Sequence, residues 1–305
     1  MAEKVNWRQI DRFIMNNCKI ADELRNYRDL AGRLNQVSLS GERVKNPSDS
    51  ADYAEYFISE TLSYLDIAVA NAAYTLMVSS PVQTSFQADV IGQLMAGNMG
   101  WRIPKKMKQD LEARLQKLAQ TQIYILADHD HQVEQDLYEG MFLPVRWENE
   151  GDRIKFHFLP ELQMPLYQYA GHRRQLIEIP LSRLRDDQGG SQIQHNNTDR
   201  MLALRHYLLQ ELEILRYANN KVYTHRIQLL KKDDENNEMG LLWLLGMIGD
   251  AGTTTVKDPI TLAKRLQKFM QQLLDNWHKC GYLGSLQYEM LSAKDGFGVQ
   301  ITSRQ

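Results

Sequence analysis

Lys105, Lys106, Lys108 and Gln109, with Gln116 two turns further on, stand in the stretch "IPKKMKQDLEARLQKLAQ". Thr261, Lys264, Arg265, Lys268 and Gln272 stand in a second stretch, "PITLAKRLQKFMQQLLDNWHK". Lysine and arginine neutralise phosphates or donate to the guanine edge, and glutamine pairs with the adenine edge. A helix that turns such residues outward has the form that enters a major groove. The chemistry these types and spacings suggest is recognition of charge and base edges, with no bond made or broken.

A helical wheel supports that arrangement in both stretches. Ile103, Met107, Leu111, Leu115 and Leu118 fall on one stripe, with Lys105, Gln109, Glu112 and Gln116 opposite. Leu262, Leu266, Phe269, Met270, Leu273, Leu274 and Trp277 form the apolar stripe of the second stretch, and Thr261, Lys264, Lys268 and Gln271 face away from it. Between Arg102 and Ala119 there are six basic residues against two acidic, and between Val256 and Gly281 five against two. A solvated charged face is also the ordinary property of a surface helix. The two stretches gain meaning only together with the elements around them.

Other residues look chemical without completing a site. "DHDHQ" places His129 and His131 two apart among carboxylates, but a metal site needs three or four convergent ligands. The expectation there is an acidic loop over 128–140, with no metal. "FHF" holds the single His157, and Tyr167 and Tyr169 read as core residues. "GMIGDAGTTT" lacks the Gly-Lys-Ser/Thr of a phosphate loop, and neither a GxSxG elbow nor an HExxH pair occurs. No catalytic residue and no cofactor is expected. "AGHRRQLIEIP" gathers His172, Arg173 and Arg174 in what reads as a turn before a strand, the functional alternative being a phosphate clamp between domains.

The chain that must position these residues has 305 residues, 43% hydrophobic and 24% charged, with a formal net charge of −2. That suffices for two domains with their own cores. Near-neutral net charge leaves room for a local basic face, because the field depends on where charges sit. Cys18 and Cys280 lie too far apart in sequence, without CxxC partners, to suggest a disulfide scaffold or zinc site; Cys280 reads as a buried helix-end residue. "MAEKVNWRQI" has no apolar core of a signal peptide, and Met239–Gly252 is too short to cross a bilayer. A cytoplasmic protein without membrane contact is the expectation.

Residues 1 to about 36 read as one or two helices, and 37–52 as a polar boundary. Asp52–Val78 reads as one long helix. Then come a short "QTSFQ" piece with Ser85 as cap, a helix ended by Gly97, the first basic helix opened by Pro104, and strands joined at "NEGD". A second linker, 185–199, leads to a helix capped by Thr198, the strand "VYTHRIQLL", an apolar helix at 239–249, the second basic helix opened by Pro259, and a hairpin across "SAKDG". Both halves therefore run helix, strand, helix, helix, hairpin, with the basic helix third.

In order and spacing, "QADVIGQLMAG…IPKKMKQDLEARLQKLAQTQIYI" and "ALRHYLLQELEILR…ITLAKRLQKFMQQLLDNWHKCGYL" resemble plasmid and mobile-element replication initiators built from tandem winged-helix domains. The resemblance spans roughly residues 52–305 and contains no short diagnostic motif. It implies an α+β fold of two tandem winged-helix domains at 51–190 and 191–305, preceded by a helical N-terminal arm over 1–50. It also implies duplex DNA and host replication proteins as partners, a homodimer formed through the first domain, and groove contacts by Lys105, Lys106, Lys108, Gln109, Gln116, Thr261, Lys264, Arg265, Lys268 and Gln272. The chain departs from that family in being less basic. A winged-helix transcriptional regulator and a module for protein contacts remain as alternatives.

Overall fold

A computed structural model describes residues 10–26, 29–38, 53–80, 84–128, 135–151, 153–159, 161–185, 198–217, 223–230 and 258–303. The chain divides into two compact units, Met1–Leu181 and Ser182–Gln305. The architecture is mixed, with helices and several small antiparallel sheets.

The first unit is organised around α2 (Tyr64–Ser79), which is apolar on nearly every side and buried from Tyr64 through Ala73. A helix of that kind must be surrounded by its own protein, and α1 (Lys19–Asn26), α3 (Ala88–Ala96), α4 (Lys105–Gln120) and β1 (Arg12–Asn16) pack on it. A capping box starts it: Ser63 Oγ accepts from the Asp66 N–H, and the Asp66 carboxylate accepts from the Ser63 N–H. Ahead of it lie β2 (Leu34–Ser38) and β3 (Tyr53–Ile58). These join β5 (Gln122–Asp128) and β6 (Gln135–Met141) in a sheet of order β2-β3-β5-β6. A second sheet, β4-β8-β7, is made by β4 (Ser85–Phe86), β7 (Val145–Glu150) and β8 (Arg153–Phe158). After α5 (Pro165–His172), β9 (Leu176–Pro180) returns to pair with β1.

Four expectations are corrected here. Residues 10–38 are not a helical arm but hold β1, α1 and β2, and both strands pair inside the first unit. Phe13 stands opposite Ile179 and Met15 opposite Ile177, so a partner far along the chain makes this segment a strand. Asp52–Val78 is not one helix. Tyr53, Tyr56 and Phe57 fit a helical repeat, yet Ala54, Tyr56 and Ile58 are the buried set, which is the period of a strand. The second half of the expected acidic loop is β6, with Tyr138 buried, while residues 129–134 lie outside the described residues. Ser85 lies in β4, and Gln87 takes the cap position of α3 without a side-chain bond. Gly97 ends α3 in the left-handed region at φ 62°, as its position after the helix requires.

The second unit runs α6 (Asp199–Tyr217), β10 (Tyr223–Gln228), α7 (Pro259–Lys279), β11 (Leu286–Met290) and β12 (Gly298–Ser303). Its sheet has the order β10-β12-β11. The apolar stretch 239–249, between β10 and α7, lies outside the described residues. In each unit a short strand after a long helix pairs with the last strand of the following hairpin, as β4 does with β8 and β10 with β12. The two units share this strand pairing, although in the first unit β5 and β6 stand between α4 and the β7–β8 hairpin, where the sequence reading placed the hairpin after the helix. Cys280 is exposed rather than buried, because it caps α7 just where Gly281, at φ 71°, turns the chain away.

Candidate nucleic-acid interface

Helix α4 and the residue pair leading into it lie close on α3: a Cβ on Gly92 would overlap Ile103 Cδ1 and come within 3.0 Å of Leu111 Cδ1 on α4. Its buried residues are Met107, Leu111, Leu115, Leu118 and Ala119, the stripe that the wheel indicated. On the opposite side Lys105, Lys106 and Gln109 are exposed, and Gln116 is half-buried. Pro104 precedes the helix with extended backbone and no side-chain cap, and no acidic residue occupies the first turn. A positive helix end flanked by Lys105 and Lys106 suits an anion.

Three other cations of this helix are already engaged. Lys108 Nζ donates to Asp89 on α3 at 2.6 Å. Arg114 Nη1 lies 2.6 Å from Asp66 Oδ1, and Lys117 Nζ lies 2.9 Å from Asp66 Oδ2. The Asp66 side chain is only 1% exposed. Burial alone would raise its pKa, but Arg114, Lys117 and the Ser63 N–H outweigh burial and hold the carboxyl below its ordinary range. Arg114 and Lys117 therefore pin α4 to the start of α2. The outward charge of α4 narrows to its first turns, at Lys105 and Lys106 with exposed Arg102 just before them. Asp66 was not singled out from the sequence, although "SYLD" is a capping-box pattern that signals it.

Helix α7 has a cleaner polar face. Thr261, Lys264, Arg265 and Lys268 are exposed and Gln272 is half-buried, while Ala263, Leu266, Phe269, Met270, Leu273, Leu274 and Trp277 are buried. Among the described residues, Lys264, Arg265 and Lys268 form no ion pair. Asp258 caps the helix by accepting from both the N–H and the side chain of Thr261. Gln267 Nε2 donates to the Leu291 and Gly298 carbonyls, and the Tyr288 hydroxyl donates to Asp275, which together hold the β11–β12 hairpin against α7.

In the first unit the end of α4 is tied to the β7–β8 segment by the Leu143 N–H, which donates to the Leu118 carbonyl. That hairpin is charged but largely self-paired: His157 Nε2 lies 2.8 Å from Glu148, and Lys155 lies 3.4 Å from Glu150. Arg146 and Arg153 are exposed on it. The remaining candidates are structural. Tyr167 and Tyr169 are core residues. His172 Nδ1 lies 2.8 Å from the Tyr138 hydroxyl, and the Arg173 guanidinium lies over the Tyr169 ring. Arg174 is exposed in the turn between α5 and β9, at φ 55°. Among the described residues no group of three or more His, Cys, Asp or Glu could hold a metal ion, and no helix is long and apolar enough to cross a membrane.

No protein-family model and no curated relative matches the chain. Two solved structures of RctB domains 2 and 3 are similar to it, both at 11% identity. One has a TM-score of 0.48 and covers 94% of this chain and 96% of the other. The second, of the selenomethionine derivative, has a TM-score of 0.43, with 93% and 95% covered. Likeness at this level does not decide function, which rests on the chain's own residues.

Proposed function

We propose that this protein binds duplex DNA through α4 and α7, as two winged-helix units in tandem, and acts as a sequence-specific replication initiator of a plasmid or mobile element. The observation that carries this reading is the repeated pairing: in each unit a short strand ahead of the helix with exposed cations pairs with the last strand of a hairpin that comes after that helix, directly in the second unit and beyond β5 and β6 in the first. Helix α7 supplies the stronger reader, since Lys264, Arg265 and Lys268 are exposed on one side of it. Helix α4 contributes through Lys105, Lys106 and Gln109, while Lys108 is held on Asp89. Phosphate contacts would set the register and the polar side chains would read bases. Strand opening at an origin would come from binding energy and DNA deformation, with host replication proteins recruited and a second copy joined through the first unit. No bond-making chemistry is assigned to any residue.

The test is fluorescence anisotropy of the full chain with a duplex carrying direct repeats from beside its gene, titrated at two salt concentrations. Binding should weaken with a log–log slope of about −0.9 per phosphate neutralised. Lys264→Ala with Arg265→Ala should cost about 1–3 kcal/mol of specific binding while leaving the fold intact. Absence of salt-dependent binding favours a module for protein contacts. Replication of a plasmid bearing the repeats only when the protein is present separates an initiator from a transcriptional regulator.

A further inference from the structure

One large apolar side chain stands on the polar side of α7. Ile260, directly after Pro259 in the first turn, is 48% exposed. A single surface isoleucine is ordinary and carries no meaning by itself; the position of this one does. Residues four apart on a helix are neighbours on one side, so Ile260, Lys264 and Lys268 follow each other along successive turns. The buried residues of α7 begin at Ala263, and Ile260 is not among them. The start of the helix fixes its direction, because Asp258 caps the helix and Pro259 enters the first turn with its φ already helical. A β-branched side chain in a helix has one strongly preferred rotamer, so a contact costs it little further freedom.

Isoleucine has neither a donor nor an acceptor. It can bond neither a phosphate nor the polar groups of a base edge. Among the four bases, the major groove offers it one apolar group, the C5-methyl of thymine. The first residues of a groove-reading helix are the ones that meet base edges. We infer that Ile260 packs on the C5-methyl of a thymine and so selects that base at one position of the site. The inference rests on the duplex-binding reading of α7. It adds to that helix an apolar contact that selects sequence without touching a phosphate, one turn ahead of Lys264.

The experiment uses the full chain and fluorescein-labelled duplexes carrying the repeats, with thymines replaced one at a time by deoxyuridine, which differs only in lacking the methyl. Anisotropy titration measures the affinity for each. For the parent, at least one replacement in the repeat should weaken binding by about fourfold, the factor that burying one methyl-sized group supplies. Ile260→Ser should bind the thymine and uracil forms of that position equally. It should also leave the salt slope and the affinity for a random-sequence duplex unchanged, since no phosphate contact is lost. Ile260→Val keeps branched methyls and should keep the discrimination; melting followed by circular dichroism checks the fold of each variant. A parent with no salt-dependent duplex binding overturns the α7 reading and this one with it. A parent that binds the repeats but does not distinguish uracil from thymine at any position overturns the methyl contact alone. An Ile260→Ser protein that keeps the parent's ratio of affinities does the same, and that is the result if the side chain serves a protein partner instead. Equal loss on repeat-bearing and random duplexes also overturns it.

Discussion

Replacing Asp66 by asparagine removes one charge from the contact that fixes α4 on α2 and leaves the shape almost unchanged. The side chain is 1% exposed, with Arg114 at 2.6 Å and Lys117 at 2.9 Å. Breaking a buried pair by removing one partner costs about 3–5 kcal/mol. Arg114 and Lys117 are 22% and 36% exposed, so their unmatched charges keep part of their hydration. That lowers the expected cost to about 2–3 kcal/mol. Asparagine can still accept from the Ser63 N–H, so the helix cap is largely kept; Asp66→Ala should lose about 1 kcal/mol more. Urea denaturation followed by circular dichroism measures both. The pH dependence gives a second reading. The Asp66 carboxyl is held below its ordinary value of 3.8, so its contribution is present above that pH and is lost as pH falls through the lower folded value. The gap between parent and Asp66→Asn should therefore close in acid. A variant within about 0.5 kcal/mol of the parent at neutral pH would refute the reasoning, because surface substitutions alone do that much.

Two further outcomes are expected in the second unit. Gly298 has φ 118° and a Cβ there would overlap the Ile227 carbonyl on β10. Gly298→Ala should cost above about 3 kcal/mol in urea denaturation, against about 1 kcal/mol for Gly281→Ala, which is left-handed but opens onto free space. His225 on β10 lies 3.0 Å from Glu211 on α6, and the bond to that carboxylate raises its pKa against the opposing effect of burial. Its contribution is fully present below the ordinary value of 6.5 and is lost as pH rises through the raised folded value. The melting temperature of the parent should fall relative to His225→Gln over that window, and parallel curves would show that the pair is not ionic.

Local pattern carried a good part of the interface. Helices α4 and α7 repeat their apolar residues every three or four positions, and that period alone sets which side is buried and which is wet. Pro259 after Asp258, Gly97, and Gly151 just after β7 mark boundaries through the backbone chemistry of single residues, and each stands where it was expected. Strands β1, β2 and β3 escaped that reading. Each has five or six residues, and its identity comes from a partner elsewhere in the chain, as with Phe13 opposite Ile179 and Leu34 opposite Phe57.

The outward charge was legible only in part, for the same reason. Lys105 and Lys106 stay exposed, but Lys108, Arg114 and Lys117 meet Asp89 and Asp66 on other helices. A wheel shows the direction in which a side chain leaves its own helix and nothing of the charge waiting on a neighbour. Periodicity is a property of one segment and survives in isolation. Ion pairs, strand pairing and clefts are properties of distances between segments, and only the packed chain sets those distances.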